Sequence, residues 1–298
     1  MNEIPDFLNK LLVEQYGQNI RNQIVEGYSC IRKSTFRVNT LKANVDEIKQ
    51  ILEIKNIEYK QVEWYKEAII IEKDMEEHVK KLDIYNDGKI YFQSLSSMIP
   101  PLILQPKENE DILDMAAAPG GKTTQISSLT KGNALITAVE KNKIRADRLR
   151  YNIEKLKAPR INVLVQDARR LDNVFSFDRI LLDAPCSGSG TFDLYNKNQE
   201  ITEELVKRCT KIQLELLTKA EKILKHGHEM VYSTCSILKC ENEENIQKIL
   251  GRGNLEIVPI EEECTKYIPK LPVSIKGTIC VKPNELYEGF FIAKLRKK

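Results

Sequence analysis

The stretch DILDMAAAPGGKTTQ, Asp111 to Gln125, opens as a short apolar run and breaks into small residues around Gly120 and Gly121. An apolar run, a glycine pair and then helix-compatible residues read as strand, tight loop and helix. Such a loop lets backbone N–H groups come close to a ligand, and the helix dipole favours an anionic or polar group there. Outward from it the chain alternates. ALITAVE (134–140), INVLVQD (161–167), DRILLDA (178–184), EMVYST (229–234) and a closing FFIAKL (290–295) are strand candidates. KIRADRLRYNIEKLK, Lys143 to Lys157, and the long run from Ile201 to Lys225 are the clearest helices. That alternation predicts a doubly wound, Rossmann-like α/β domain built from βαβ units.

The loop has two rival readings. One is a phosphate-binding P-loop of a nucleotide hydrolase, G-x-x-x-x-G-K-[ST]. Counting back from Gly121–Lys122–Thr123, its first glycine falls on Ala116, and Pro119 removes one N–H from the cradle. The other is a nucleoside-binding βαβ unit. Glu140 ends the second strand, where a ribose-binding acid belongs; Asp167 ends the third and Asp183 the fourth. One such acid alone reads as a helix cap or Asx-turn. Three of them beside a glycine loop, at the carboxyl ends of the strands, suit a ligand with a ribose, an adenine and an amino-acid tail. S-adenosyl-L-methionine is the candidate.

Before about residue 105 the pattern is different. STFRVNTLK (34–42), EYKQVEW (58–64) and EAIIIEK (67–73) look like strands, with a helix over Val45–Lys55. GKIYFQSLSSMIPPLIL then gives a short strand and a helix before the polar QPKENE linker, Gln105 to Glu110. The division predicts a small α+β (RRM-like) domain over 1–105 and a catalytic domain over 106–298. A chain of 298 residues accommodates both. The N-terminal segment carries Arg32, Lys33, Arg37 and Lys42, which suggests that it serves RNA binding. The net charge of +3 permits nucleic-acid binding without arguing for it.

No apolar run approaches the ~18 residues of a membrane span, so no membrane partner is expected. MNEIPDFLNK lacks a basic region followed by an apolar core, so no signal peptide is expected either. With seven cysteines and no export signal, reduced thiols in a cytoplasmic, monomeric protein are the expectation. There is no C-x-x-C pair, and no metal site is expected.

Cys186 in LLDAPCSGSG and Cys235 in VYSTCS stand apart, each in a loop of small residues after a strand. Cys30, Cys209, Cys264 and Cys280 read as small buried hydrophobes, and Cys240 in KCENEEN as packing at a helix start. If the strands ending at Asp183 and Thr234 are neighbours, both loop thiols reach the ligand rim. Carbon 5 of a pyrimidine is too weak a nucleophile to take a methyl group unaided. A thiolate adding to carbon 6 makes an enamine whose carbon 5 can, and loss of the carbon 5 proton then expels the thiol. Asp183 is placed to support the charge that builds on the base.

These motifs together resemble those of the RNA cytosine-5 methyltransferases of the Nol/Nop/Sun (RsmB/RsmF-like) family. DMAAAPGGKT, LLDAPCSGSG and VYSTCS followed by ENEEN carry the likeness, with FRVNTLK and GKIYFQSLSSMIPPL before them and EGFFIAKL after. The resemblance implies methyl transfer from S-adenosyl-L-methionine to a cytosine of transfer or ribosomal RNA. It implies that Cys235 is the nucleophile, because the Thr-Cys thiol has that role in the family, and that Cys186 assists product release. It implies cofactor binding by Ala116, Ala117, Ala118, Pro119, Gly120, Gly121 and Lys122, with Glu140, Arg145, Asp167 and Asp183. Lys122 with Asp183 would orient the target base. Glu140 departs from the family's commoner Asp, and no additional RNA-binding module is evident. The other readings that remain are the nucleotide hydrolase and a catalytically inactive RNA-binding relative.

Overall fold

The computed structural model describes residues 4–196 and 199–298, apart from the side chain of Cys264. A long first helix, α1 (Asp6–Ser29), is broken in its helical geometry at Gly17, whose φ of +74° suits a residue without Cβ. The polar residues around that break hide its apolar stripe in the sequence. Leu8, Leu12, Tyr16, Ile24 and Tyr28 lie along it and are buried in the core of the larger domain.

The small sheet follows. Its elements are β1 (Ser34–Val38), α2 (Val45–Ile54), β2 (Lys60–Val62), β3 (Tyr65–Ile71), the short helices α3 (Glu76–Lys80) and α4 (Asp83–Asn86), and β4 (Ile90–Phe92). Among the described residues the sheet has four antiparallel strands in the order β2-β3-β1-β4. Asn44 caps α2 by accepting the Glu47 N–H, and the helix buries Ile48 and Leu52 against Phe36, Ile69 and Ile71 of the strands. Helix α5 (Leu95–Leu104), capped by Ser94, then leaves the small sheet. Its Leu95, Met98 and Ile99 pack with Leu181, Val231 and Ile292 of the larger one. Packing therefore crosses residue 105 twice, through α1 and α5.

The larger unit runs β5 (Asp111–Asp114), α6 (Gly121–Leu129), β6 (Leu135–Val139), α7 (Lys143–Lys155), β7 (Ile161–Leu164), β8 (Phe177–Asp183), α8 (Glu203–Ile223), β9 (Leu224–Thr234), α9 (Glu243–Leu250), β10 (Leu255–Ile257), β11 (Lys270–Leu271), β12 (Ile279–Val281) and β13 (Phe290–Lys297). Its strand order is β11-β12-β13-β9-β8-β5-β6-β7, with β10 on β13. The pairs among β7, β6, β5, β8 and β9 are parallel, and those made by β13, β12, β11 and β10 are antiparallel. The chain steps from β5 outward to β7, then crosses back to β8 and β9. That reversal opens a crevice between the carboxyl ends of β5 and β8, where an open α/β sheet binds its ligand. Beside it, the register Asp183↔Ser233 brings the loops after β8 and β9 together.

Two of the basic residues read as RNA contacts are structural. Arg37 is 0% exposed; its Nε donates to Gln93 Oε1 at 3.0 Å and its Nη2 to the Gly121 carbonyl at 3.1 Å and Thr124 Oγ1 at 2.6 Å. It ties the small sheet to the first turn of α6. Lys42 directs its ammonium at the carbonyls of Asp87 and Lys155. Among the described residues no helix is long and apolar enough to cross a membrane.

Candidate active site

Each parallel strand delivers one group to the crevice. At the end of β5 the buried Asp114 accepts a hydrogen bond from Thr123 Oγ1 at 2.7 Å, bracing the glycine loop from below. Gly120, with φ of +107°, turns the chain into α6, and a Cβ there would sit 2.9 Å from Leu149 Cδ1. After β6, Glu140 accepts the Asn142 N–H at 2.8 Å and faces Arg145 at 3.4 Å. Arg145 in turn donates to the Ala118 carbonyl at 2.8 Å, joining the acid to the loop. After β7, Asp167 takes Arg169 in a paired contact at 2.9 and 2.5 Å. Hydrogen bonding to Arg169 holds the Asp167 carboxyl down at about 2, against the opposing effect of burial.

Two cavities adjoin here. The first, about 210 Å³, is lined by Ala116, Ala118, Glu140, Arg145, Asp167 and Asp183, with Cys186 and Cys235 at one end. The second, about 370 Å³, is lined by Ala117, Pro119, Gly121 and Lys122 and shares Ala116, Ala118, Asp183 and Cys235 with the first. Gly120 packs on Leu149 and lines neither. The site residues read from sequence are thus divided between two neighbouring spaces.

The donor set of the first cavity fits S-adenosylmethionine. Glu140, 3% exposed, presents a carboxylate where a ribose hydroxyl pair can donate to it. Met115, Val139, Ile212 and Leu216 provide apolar wall for a purine, and the loop supplies backbone groups for the polar tail.

The second cavity holds residues that motif reading missed. Tyr91 comes from β4 and Gln93 from the residue just after it, Ser97 from α5 and Phe290 from β13. Lys122 Nζ lies 2.7 Å from Asp183 Oδ2, donates to Ser97 Oγ at 2.7 Å and sits 5.4 Å from the centre of the Phe290 ring. Burial pulls its ammonium down, but the charge and hydrogen bond of Asp183 outweigh that and raise it. Ser233 Oγ donates to the other Asp183 oxygen at 2.7 Å. A lysine so committed is not the phosphate ligand that a P-loop reading requires. Signals for these residues in the sequence are weak, since they come from three separate stretches of chain.

Cys235 lines both cavities and Cys186 the first, and their Sγ atoms stand 3.0 Å apart. Gly190 N–H donates to the Cys235 carbonyl at 2.9 Å, and a Cβ on Gly190 would fall 2.0 Å from the Gly289 carbonyl oxygen. Only glycine allows the two loops and β13 to close on each other. The remaining thiols are elsewhere: Cys209 and Cys280 are buried, Cys30 and Cys240 partly so, and the side chain of Cys264 lies outside the described residues. Cys30 thus departs from the fully buried placement read for it, because it caps the exposed end of α1.

Crevice, acids and glycine loop define the class: an S-adenosylmethionine-dependent methyltransferase fold. Comparison with known proteins narrows it. A family model described as 16S rRNA methyltransferase RsmB/F matches residues 101–296, and one described as an RsmF/B-like ferredoxin-like domain matches residues 4–77. The chain is 35% identical to the tRNA (cytosine(49)-C(5))-methyltransferase of Pyrococcus abyssi, over 97% of this chain and 96% of that one. It is 32% identical to the 28S rRNA (cytosine-C(5))-methyltransferase of mouse, spanning 98% of this chain and 38% of that one. The solved structure of a methyltransferase homologue protein from Pyrococcus horikoshii superposes with a TM-score of 0.83 at 33% identity, covering 99% of this chain and 100% of that one. The chain belongs to the RsmB/F family of S-adenosylmethionine-dependent RNA (cytosine-C5) methyltransferases.

Proposed function

We propose that the protein methylates carbon 5 of a cytosine in structured transfer or ribosomal RNA through a covalent cysteine–cytosine intermediate. The observation that carries this is the sulfur pair at the junction of the two cavities, with the Lys122–Asp183 pair at its side. A cytosine flipped from its RNA enters the second cavity, between the aromatic walls of Tyr91 and Phe290. Cys235, which lines both cavities, adds as thiolate to carbon 6. Asp183, held by Lys122 and Ser233, supports the charge that appears on the ring. When bound in the first cavity, S-adenosylmethionine supplies the electrophilic methyl group. Loss of the carbon 5 proton to a water-derived base then restores the double bond and expels Cys235 as thiolate, and Cys186 assists that release.

The small domain, within the segment up to about residue 105, provides the RNA-facing wall. Tyr91 and Gln93 support this, since they come from that segment and reach the base cavity. The six unpaired cysteines among the described residues support a reducing, cytoplasmic setting, and light scattering would check a monomeric state.

Trapping tests the mechanism. Cys186→Ala should accumulate a protein–RNA adduct, stable to denaturing gels, with cofactor present. Cys235→Ala should form none and lose methylation. An adduct from Cys235→Ala alone would exchange the two roles, and full methylation without either thiol would end the covalent reading.

A further inference from the structure

Glu241 is 0% exposed, yet no lysine or arginine pairs with it among the described residues. Its carboxylate is met instead by neutral donors from three directions. Oε1 accepts the Ser187 N–H at 2.8 Å and Gln213 Nε2 at 3.1 Å. Oε2 accepts Ser187 Oγ at 2.6 Å and Ser236 Oγ at 2.5 Å. Ser187 follows Cys186 in the chain and Ser236 follows Cys235. Burying a carboxylate without a counter-charge is costly unless its lone pairs are met, and here four donors from the two cysteine loops and α8 meet them.

We propose that Glu241 is the positioning residue of the reaction: it clamps the two cysteine loops at a fixed separation and sets a negative charge on the Cys186 side of the pair. This rests on the thiol roles given above. Ser187, whose N–H and hydroxyl both meet Glu241, adjoins Cys186 in the chain, while Lys122, paired with Asp183, lines the second cavity with Cys235. The hydrogen bond to Cys235 and burial, joined by the charges of Cys235 and Glu241, hold the Cys186 thiol well above the usual range. The Glu241 charge works against ionisation of Cys186.

Glu241→Gln keeps the shape and removes the charge. Misplacing a reacting group by about 1 Å costs on the order of 10²-fold, so kcat should fall by about that factor with KM for RNA held within about threefold. A readout without RNA uses an azodicarboxamide oxidant. It takes two electrons and two protons from Cys186 and Cys235, giving one disulfide and the hydrazine. Disulfide geometry is demanding, so the loosened pair should cross-link about tenfold more slowly, read by mass spectrometry of that peptide pair. Alkylation of Cys186 should move to lower pH in the variant because a neighbouring anion is gone, a change that a purely structural role would not produce. Unchanged kcat, cross-linking and alkylation profile in Glu241→Gln would overturn the proposal. If that variant fails to bind cofactor, Ser236→Ala removes a single donor; about threefold slower cross-linking is then expected, and none would overturn it. Wild-type protein inactive on RNA would remove the proposed function, while the cross-linking comparison still judges the clamp.

Discussion

The first cavity takes its walls from the ends of β5, β6, β7, β8 and β9, from Arg145 of α7 and from α8, all within the larger unit. The second draws Tyr91 and Gln93 from the small domain, Ser97 from the connecting α5, Lys122 from α6 and Phe290 from the antiparallel half of the sheet. On the proposed assignment, local loops hold the cofactor, whereas the cavity proposed for the base needs the docking of residues from both parts of the chain. Arg37, buried between β1 and the first turn of α6, makes that docking specific. Cofactor affinity and turnover should therefore respond to different substitutions.

The largest separation is expected for Lys122→Met. Removing a group that orients an acid at the reacting ring costs on the order of 10²- to 10³-fold in kcat, while cofactor affinity stays within about threefold. Calorimetry and single-turnover methylation read the two halves. A parallel loss of cofactor binding would break the division between cavities and return Lys122 to the cofactor.

Glu140→Ala should do the reverse. A hydrogen bond to a charged group is worth about 1.5–3 kcal/mol, so cofactor affinity should fall by about 10- to 100-fold with kcat at saturating cofactor little changed. Asp167→Ala should have a smaller effect, about three- to tenfold on affinity, because its carboxylate is already engaged by Arg169. Equal affinity in that variant would remove Asp167 from the site.

The same contrast explains what could be read from the sequence. The strand–glycine–helix run and the acids at successive strand ends obey local rules, so the first cavity and the parallel sheet were legible. The meeting of Cys186 and Cys235 was legible only as a condition, that their two strands be neighbours, and β8 and β9 do pair. The second cavity was not legible, because Tyr91, Ser97 and Phe290 converge through docking and no spacing rule connects them. Arg37 shows the limit most clearly. A basic residue in an RNA-binding segment reads as a phosphate contact, yet its neighbours Gln93, Gly121 and Thr124 make it a buried strut. Helix α1 was hidden for a related reason, its stripe being interrupted at Gly17 and completed only by the larger domain.

The smallest expected effect sharpens the comparison at the loop both cavities share. Asp114 is 1% exposed under that loop, and burial pushes its carboxyl up to about 6, in spite of the Thr123 hydrogen bond. An unfolded Asp ionises near 3.9. Between about pH 4 and pH 6 the folded chain therefore keeps a proton that the unfolded chain has lost, and stability from this group falls as pH rises. The slope can be no more than about 1.4 kcal/mol per pH unit, and it vanishes above about pH 6, where both states are ionised. Asp114→Asn removes the titration. The melting temperature of the wild type, measured relative to this variant, should decline from pH 4 to pH 6 and then run level. Lines that stay parallel across that window would mean that Asp114 ionises as freely in the folded protein as in water. The loop would then rest on a charged carboxylate, and its backbone groups would present a more negative floor to both cavities.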